Sequence, residues 1–215
     1  MTFWVFRLDG AWASADVVNA AYGEAPRCSS CGRFIGLRPW LPPYRVRLVE
    51  GTKTSAVADV IGGPGVGVGF IASKRFVDEF ERANLKGVER WEPVVIEGYS
   101  DYEGDSLASP TAPDRIFKLA ILPVPKTRAK LAEMHPTYKA NPPDCLVCCQ
   151  PRPTAYQGVV VDETSWMGAD VFLLTNVGVL VVTDKFVDFV ASGEFTGFDL
   201  VPAAEFVPLF VRRSR

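Results

Sequence analysis

Residues 72–89, ASKRFVDEFERANLKGVE, and residues 182–199, VTDKFVDFVASGEFTGFD, read as one segment written twice. Laid over each other without a gap, Phe76 falls on Phe186, Val77 on Val187, Asp78 on Asp188 and Gly87 on Gly197. Ser73 meets Thr183, Arg75 meets Lys185 and Leu85 meets Phe195. Upstream of each copy is a short apolar stretch, VGFIA or VLVV, and downstream the chain turns extended and meets Pro93 or Pro202. Self-similarity of this kind marks one structural unit used twice. Ser73 and Thr183 are suited to cap a helix, because a hydroxyl can accept from the open amides of a first turn. Phe76, Val77 and Phe80 then fall at i, i+1 and i+4, as do Phe186, Val187 and Val190, which predicts helices near 74–84 and 184–192, each with one apolar face laid on a sheet. Gly87 and Gly197 follow the helix ends, where the chain must turn back sharply. The expected fold is α+β: a single composite domain over 1–215, made of two related strand-strand-helix-strand halves, 1–110 and 111–215, with antiparallel sheets.

The five cysteines follow the same duplication. Cys28 and Cys31 form a Cys-x-x-Cys in RCSSCGR, ahead of the first copy, and Cys145 and Cys148 form another in DCLVCCQ, ahead of the second. Two thiolates two residues apart in a tight turn can face one ion at about 2.3 Å, and two such turns complete a tetrahedron. The expectation is one zinc-ribbon-like site of Cys28, Cys31, Cys145 and Cys148, joining the two halves. Such a site is structural, since four thiolates leave no coordination position for a substrate. Three other readings stay open. The pairs could be redox dithiols, although neither is followed by a helix N-terminus that would lower a thiol pKa. They could be disulfides, or relics of a lost metal site. Cys149 stands where the first pair has Gly32, as an alternative ligand or a small buried apolar residue.

Compartment bears on that choice. MTFWVFRLDGAW lacks a basic region followed by a long apolar stretch, so it does not read as a signal peptide. The nearest approach to a membrane span, DVFLLTNVGVLVV at 170–182, falls short of the roughly 18 residues required. Thr175, Asn176 and Gly178 interrupt it, and it reads as a hairpin of buried strands. A cytoplasmic location follows as the expectation; thiols there stay reduced, which favours metal over disulfide. A net charge of −2, with no basic run beyond the VRRSR tail, argues against nucleic acid as a partner.

Catalytic machinery is hard to find in the sequence. The one histidine, His135, sits before a proline in EMHPTY and reads as a helix or loop cap. GGPGVGVG at 62–69 lacks the Gly-Lys-Ser/Thr ending of a phosphate-binding loop and runs into a strand, not a helix. The expectation is a protein that is not an enzyme. The sequence does offer a surface. EGYSDYEGD groups Glu97, Asp101, Glu103 and Asp105 with Tyr99 and Tyr102, a composition suited to gripping a basic protein or equally to a solvated loop. Trp40, among prolines in LRPWLPPY, is expected to pack against the first cysteine turn. TFWVFRL (2–8), YRVRLV (44–49) and RIFKLAIL (115–122) alternate like strands, and 100–114 is polar and turn-rich, suited to an exposed boundary between halves.

Taken together, FWVFRL, CSSCGR, WLPPYRV, SKRFVDEF with LKGVE, NPPDCLVCC and ADVFLLTNVGVLVVTDKFVDFVASGEFTGF resemble the double-CxxCG motif family of bacterial proteins, over nearly the whole chain. Members from social soil bacteria resemble swarming-inhibition-type immunity proteins, which neutralise polymorphic toxins delivered to sibling cells and are encoded beside the toxin gene. The resemblance implies direct non-covalent binding of a cognate toxin protein, with structural zinc. Cys149 departs from the family's glycine. A zinc-ribbon adaptor that binds another protein or nucleic acid is the alternative.

Overall fold

The computed structural model describes residues 1–9, 14–35, 38–49, 58–62, 69–100, 106–107, 116–123, 126–138, 145, 147–148 and 153–208. The chain opens with strands β1 (Phe3–Leu8), β2 (Ser14–Val17), β3 (Ala21–Tyr22), β4 (Trp40–Leu41), β5 (Tyr44–Val49), β6 (Val60–Ile61) and β7 (Ile71–Ser73). Helix α1 (Lys74–Arg82) leads to β8 (Arg90–Ser100), β9 (Ser106–Leu107) and β10 (Phe117–Ile121). The remainder is β11 (Val171–Leu173), β12 (Leu180–Thr183), α2 (Asp184–Gly193) and β13 (Phe198–Pro202). The protein is α+β, mostly sheet with two α-helices among the described residues. None of its helices there is long and apolar enough to cross a membrane.

One sheet has the order β11-β12-β1-β13; a larger one runs β2-β5-β8-β10-β7-β6 with β9 on β8; β3 and β4 pair alone. β1 fills the gap between β12 and β13, setting Phe3 opposite Thr183 and Trp4 opposite Pro202. β10 fills the gap between β7 and β8, setting Phe117 opposite Ser73 and Lys118 opposite Pro93. Most neighbours are antiparallel, as the sequence suggested, but β5 and β8 run parallel. The chain between them passes through β6, β7 and α1, and a crossover of that length is what a parallel pair requires. β5 shows the alternation cleanly: Tyr44, Val46 and Leu48 are buried while Arg45 and Arg47 face out.

Both predicted helices form. Ser73 caps α1, its Oγ accepting from the Phe76 amide at 3.2 Å, and Phe76, Val77 and Phe80 are buried. α2 differs in two respects. Thr183 holds the cap position and donates to Asp170 Oδ1 at 3.0 Å, but makes no side-chain cap bond. The buried residues of α2 are Phe186 and Phe189, not Val187 and Val190. Phe189 takes that role by packing on Phe76 and Phe195, at ring separations of 5.4 and 5.0 Å. Both helices lay these rings into one core with Phe6, Phe70, Val171 and Val182, so residues from 1–110 and from 111–215 share it. A second cluster gathers around Phe3, Phe172 and Tyr156, and a third around Val46, Leu48 and Phe117.

Gly87 and Gly197 each have positive φ, 119° and 104°. A Cβ on Gly87 would sit 1.8 Å from the Val171 carbonyl oxygen, and one on Gly197 would sit 1.9 Å from that of Val60. Each glycine thus follows one helix and lies against β11 or β6, the second strand before the other helix.

Candidate metal centre

The first cysteine pair sits on a short hairpin. Ile35 donates to Pro26 O at 2.9 Å, Cys28 to Arg33 O at 2.8 Å, and Arg27 bridges Phe34. Gly32 closes the turn with φ 71°, its amide reaching Cys28 O at 2.9 Å. That is the position where a left-handed backbone is needed and a glycine supplies it at no steric cost. Of the second pair, Cys148 lies in a turn at 147–148 and Cys145 lies outside it.

The two turns meet although Cys28 and Cys145 are 117 residues apart. Cys28 Sγ lies 3.8 Å from Cys145 Sγ, and Cys31 Sγ lies 3.6 Å from Cys148 Sγ. All four sulfurs fall within 4.8 Å of one another. Sulfur atoms bound to one tetrahedral ion at about 2.3 Å are about 3.8 Å apart, so the four side chains fit a metal ion. The four cysteines are free thiols. Cys28 and Cys145 are buried, Cys148 is half-buried and Cys31 is exposed.

Backbone amides prepare the sulfurs for the charged form. Those of Cys148 and Val147 pull the Cys145 thiol down to about 6, against the opposing effect of burial. The amides of Cys31 and Ser30 lower Cys28 in the same way. Cys31 goes the other way: the Arg33 amide and the Cys148 sulfur lower it, but partial loss of hydration and the sulfurs of Cys145 and Cys28 raise it on balance. Crowded thiolates resist ionising together, and a cation among them removes that resistance. The arrangement can hold a metal through Cys28, Cys31, Cys145 and Cys148, with every tetrahedral position taken by the chain.

The acidic, tyrosine-bearing stretch is only partly visible. Glu97 is on β8 and accepts from Arg45 Nη1 at 2.5 Å, and Tyr99 packs against the third core cluster. Asp101, Tyr102, Glu103 and Asp105 lie outside the described residues, as do Cys149 and residues 63–68 of the glycine-rich run. His135 caps a 3-10 turn at Leu131–Met134 in the left-handed region, φ 47°. Trp40 is buried, with Tyr44 as its ring partner at 5.0 Å within the third cluster.

Two buried aspartates escaped notice in the sequence. Asp59 precedes β6 and accepts from Ser73 Oγ at 2.9 Å, Arg75 Nη2 at 2.6 Å and Thr196 Oγ1 at 3.3 Å. Burial pushes its carboxyl up, but the Arg75 guanidinium and the Ser73 hydroxyl hold it below the ordinary aspartate range. Asp170 precedes β11 and accepts from Thr183 Oγ1 at 3.0 Å and the Lys86 amide at 2.8 Å, with Lys185 Nζ at 3.6 Å. The spacing from aspartate to hydroxyl is 14 residues in one case and 13 in the other, so an ungapped comparison slips past the pair.

No family model matches the chain, and no curated protein matches it.

Proposed function

We propose that this protein is an immunity-type inhibitor that works in the cytoplasm by binding and neutralising a cognate bacterial toxin, non-covalently and without catalysis, on a scaffold stapled by structural zinc. The observation that carries this reading is the closed four-sulfur centre. Its ligand positions are filled from two segments 117 residues apart, so a bound ion holds shape and has no place for a substrate. Zinc suits four thiolates in a tetrahedron better than the hard cations that prefer oxygen. The family resemblance supplies the link from a stapled scaffold to toxin binding.

The finer reading of the fold belongs with this. We take the halves 1–110 and 111–215 as two copies of one unit that have exchanged their first strands. The orders β6-β7-β10-β8 and β11-β12-β1-β13 correspond place for place, and in each the third strand begins the opposite half. The pairs Phe117–Ser73 and Phe3–Thr183 correspond, as do Lys118–Pro93 and Trp4–Pro202. The aspartate contacts are reciprocal too: Asp59 bonds to Thr196 after α2, and Asp170 to Lys86 after α1. An interlocked scaffold is already ordered, so it loses little entropy on binding.

The test is direct. The product of a toxin-like gene beside this one should bind the purified protein tightly, and co-expression should protect cells from it. If no adjacent product binds, the immunity reading gives way to the adaptor reading.

A further inference from the structure

The excursion between β2 and β5 carries the first cysteine turn, and it gathers more than cysteines. Of the eight large apolar side chains that are exposed among the described residues, three lie on it, Tyr22 at 36%, Phe34 at 56% and Leu41 at 40%; a fourth, Val147 at 61%, lies beside Cys148 on the opposing turn. Interspersed with these are Arg27 and Arg38. Arg27 lies over the Phe34 ring at 4.0 Å, and Arg38 lies 5.8 Å from the Tyr22 ring. With Glu24 and Ala25, Arg27, Phe34 and Arg38 line an open cavity of 420 Å³.

The two guanidiniums are held in place without being neutralised. Arg27 donates to Gly32 O, and Arg38 to Gly23 O and Tyr22 O, so backbone carbonyls hold both. Neither meets a basic group's usual partner, a carboxylate, within salt-bridge distance among the described residues, whereas Arg7, Arg45, Arg75, Arg82 and Arg90 each do. A guanidinium offers five N–H groups, so Arg27 and Arg38 keep donors to spare beside exposed aromatic rings. Arginine and aromatic side chains around an apolar centre are the composition of a protein-binding surface.

We propose that this face, centred on Phe34 and flanked by Arg27 and Arg38, is where the protein docks its partner, and that the partner presents carboxylates around an apolar side chain. This rests on the immunity reading and names the contact within it. A second copy of this chain is a poor occupant, since the same cations would face each other. Nucleic acid is a poorer fit than an acidic protein, because the face offers two guanidiniums and not the basic stripe that tracks a phosphate backbone, the chain's one basic run being its VRRSR tail. The acidic stretch near β8 is the rival face, and two of its members are engaged within the chain: Glu97 with Arg45, and Tyr99 with the third core cluster.

The experiment measures association and dissociation rates for the adjacent toxin-like gene product with the full-length, metal-loaded protein. It compares the parent with Phe34→Ala, with Arg27→Glu/Arg38→Glu, and with Asp101→Lys/Glu103→Lys/Asp105→Lys. Phe34→Ala and the double arginine reversal should each weaken binding about tenfold or more. The arginine reversal should slow association and flatten its salt dependence, while the acidic-stretch reversal leaves affinity within about twofold. Because Arg27 also bonds Gly32 O within the cysteine turn, Arg38→Glu alone, whose bonds go to Gly23 O and Tyr22 O, is compared as well; metal content and melting temperature at the parent value in that variant show the turn intact while association is slowed. Parent-like binding by both Phe34→Ala and the arginine reversal overturns this inference and leaves the immunity reading standing; failure of the parent to bind overturns both. A labelled single-stranded oligonucleotide is the remaining probe: if the parent binds it and the arginine reversal abolishes that binding, the acidic-protein assignment is wrong.

Discussion

Asp59→Ala should be the most damaging single substitution outside the hydrophobic clusters and the metal centre. Asp59 is 4% exposed and accepts from Ser73, Arg75 and Thr196, three groups drawn from both sides of the molecule. Removing one partner of a buried ion pair costs about 3–5 kcal/mol, because the other is left uncompensated. Here the Arg75 side chain is 53% exposed and can return to water, which moves the ionic part to the bottom of that range or below it. The Ser73 and Thr196 hydroxyls lose a charged acceptor, adding about 1–2 kcal/mol between them. The expected loss is about 3 kcal/mol in chemical denaturation, or about 6–12 °C in melting temperature for a chain of this size. A double-mutant cycle with Arg75→Ala should return a coupling of about 1 kcal/mol or more. The pH dependence has a defined sign. The folded carboxyl titrates below its unfolded value, so its contribution is complete above the ordinary aspartate range near about 4 and is lost as pH falls through the lower folded value. The gap between parent and Asp59→Ala should therefore hold steady between about pH 6 and 8 and close on acidification. A loss under about 1 kcal/mol with no coupling to Arg75, or a gap that widens in acid, would refute this account of the aspartate.

Metal analysis of freshly purified, reduced protein should find about one zinc per chain, and Cys28→Ser or Cys145→Ser should each abolish it and lower the melting temperature; metal-free parent protein would sink the zinc assignment. Gly87→Ala and Gly197→Ala should each cost about 2 kcal/mol or more, since each new Cβ would strike a carbonyl oxygen from a positive-φ position, and a harmless alanine at either would contradict the close approach. Exchange of the first strands can be read by hydrogen exchange: Val5→Pro should first expose amides of β12 and β13, and Leu119→Pro those of β7 and β8. The opposite assignment would rule the exchange out.

Much of this molecule could be read from its sequence because the signals are local. Period-2 alternation in YRVRLV and the capped apolar faces after Ser73 and Thr183 each depend on a few neighbours, and the strands and helices appear where those patterns lie. The cysteine spacing pointed to the four-sulfur cluster for the same reason: each Cys-x-x-Cys is local, and only their meeting is long-range. What was not legible is pairing at a distance. No local feature says that β1 inserts between β12 and β13, because a strand with two apolar faces fits the centre of any sheet. The burial of Phe189 in place of Val187 depends on Phe76 and Phe195 arriving from elsewhere. Asp59 and Asp170 read as ordinary loop aspartates until their hydroxyl partners are placed. The parallel β5–β8 pair likewise depends on where a crossover lands.

The place of the four sulfurs relative to the cores sets what metal loss should do. None of the three hydrophobic clusters contains a cysteine or any residue of the 26–35 hairpin. The rings around Phe76 and Phe186 are held by the helices and both sheets, without help from the centre. The hairpin is tied within itself by backbone bonds, by the Arg27 stack on Phe34 and its bond to Gly32 O, and by the cysteines. Stripping the ion with a chelator should therefore loosen the hairpin and the 147–148 turn while α1, α2 and their sheets stay folded. Hydrogen exchange should show protection lost at Cys28, Gly32 and Ile35, whose amides bond within the hairpin, with far-ultraviolet circular dichroism nearly unchanged. On the proposed reading, partner binding should fall further than the melting temperature suggests, because Arg27 and Phe34 stand on the segment that a bound ion would fix, and a disordered contact surface must be re-ordered on binding. If helical signal and metal are instead lost together, the centre is part of the folding core, and its separation from the clusters carries no functional meaning.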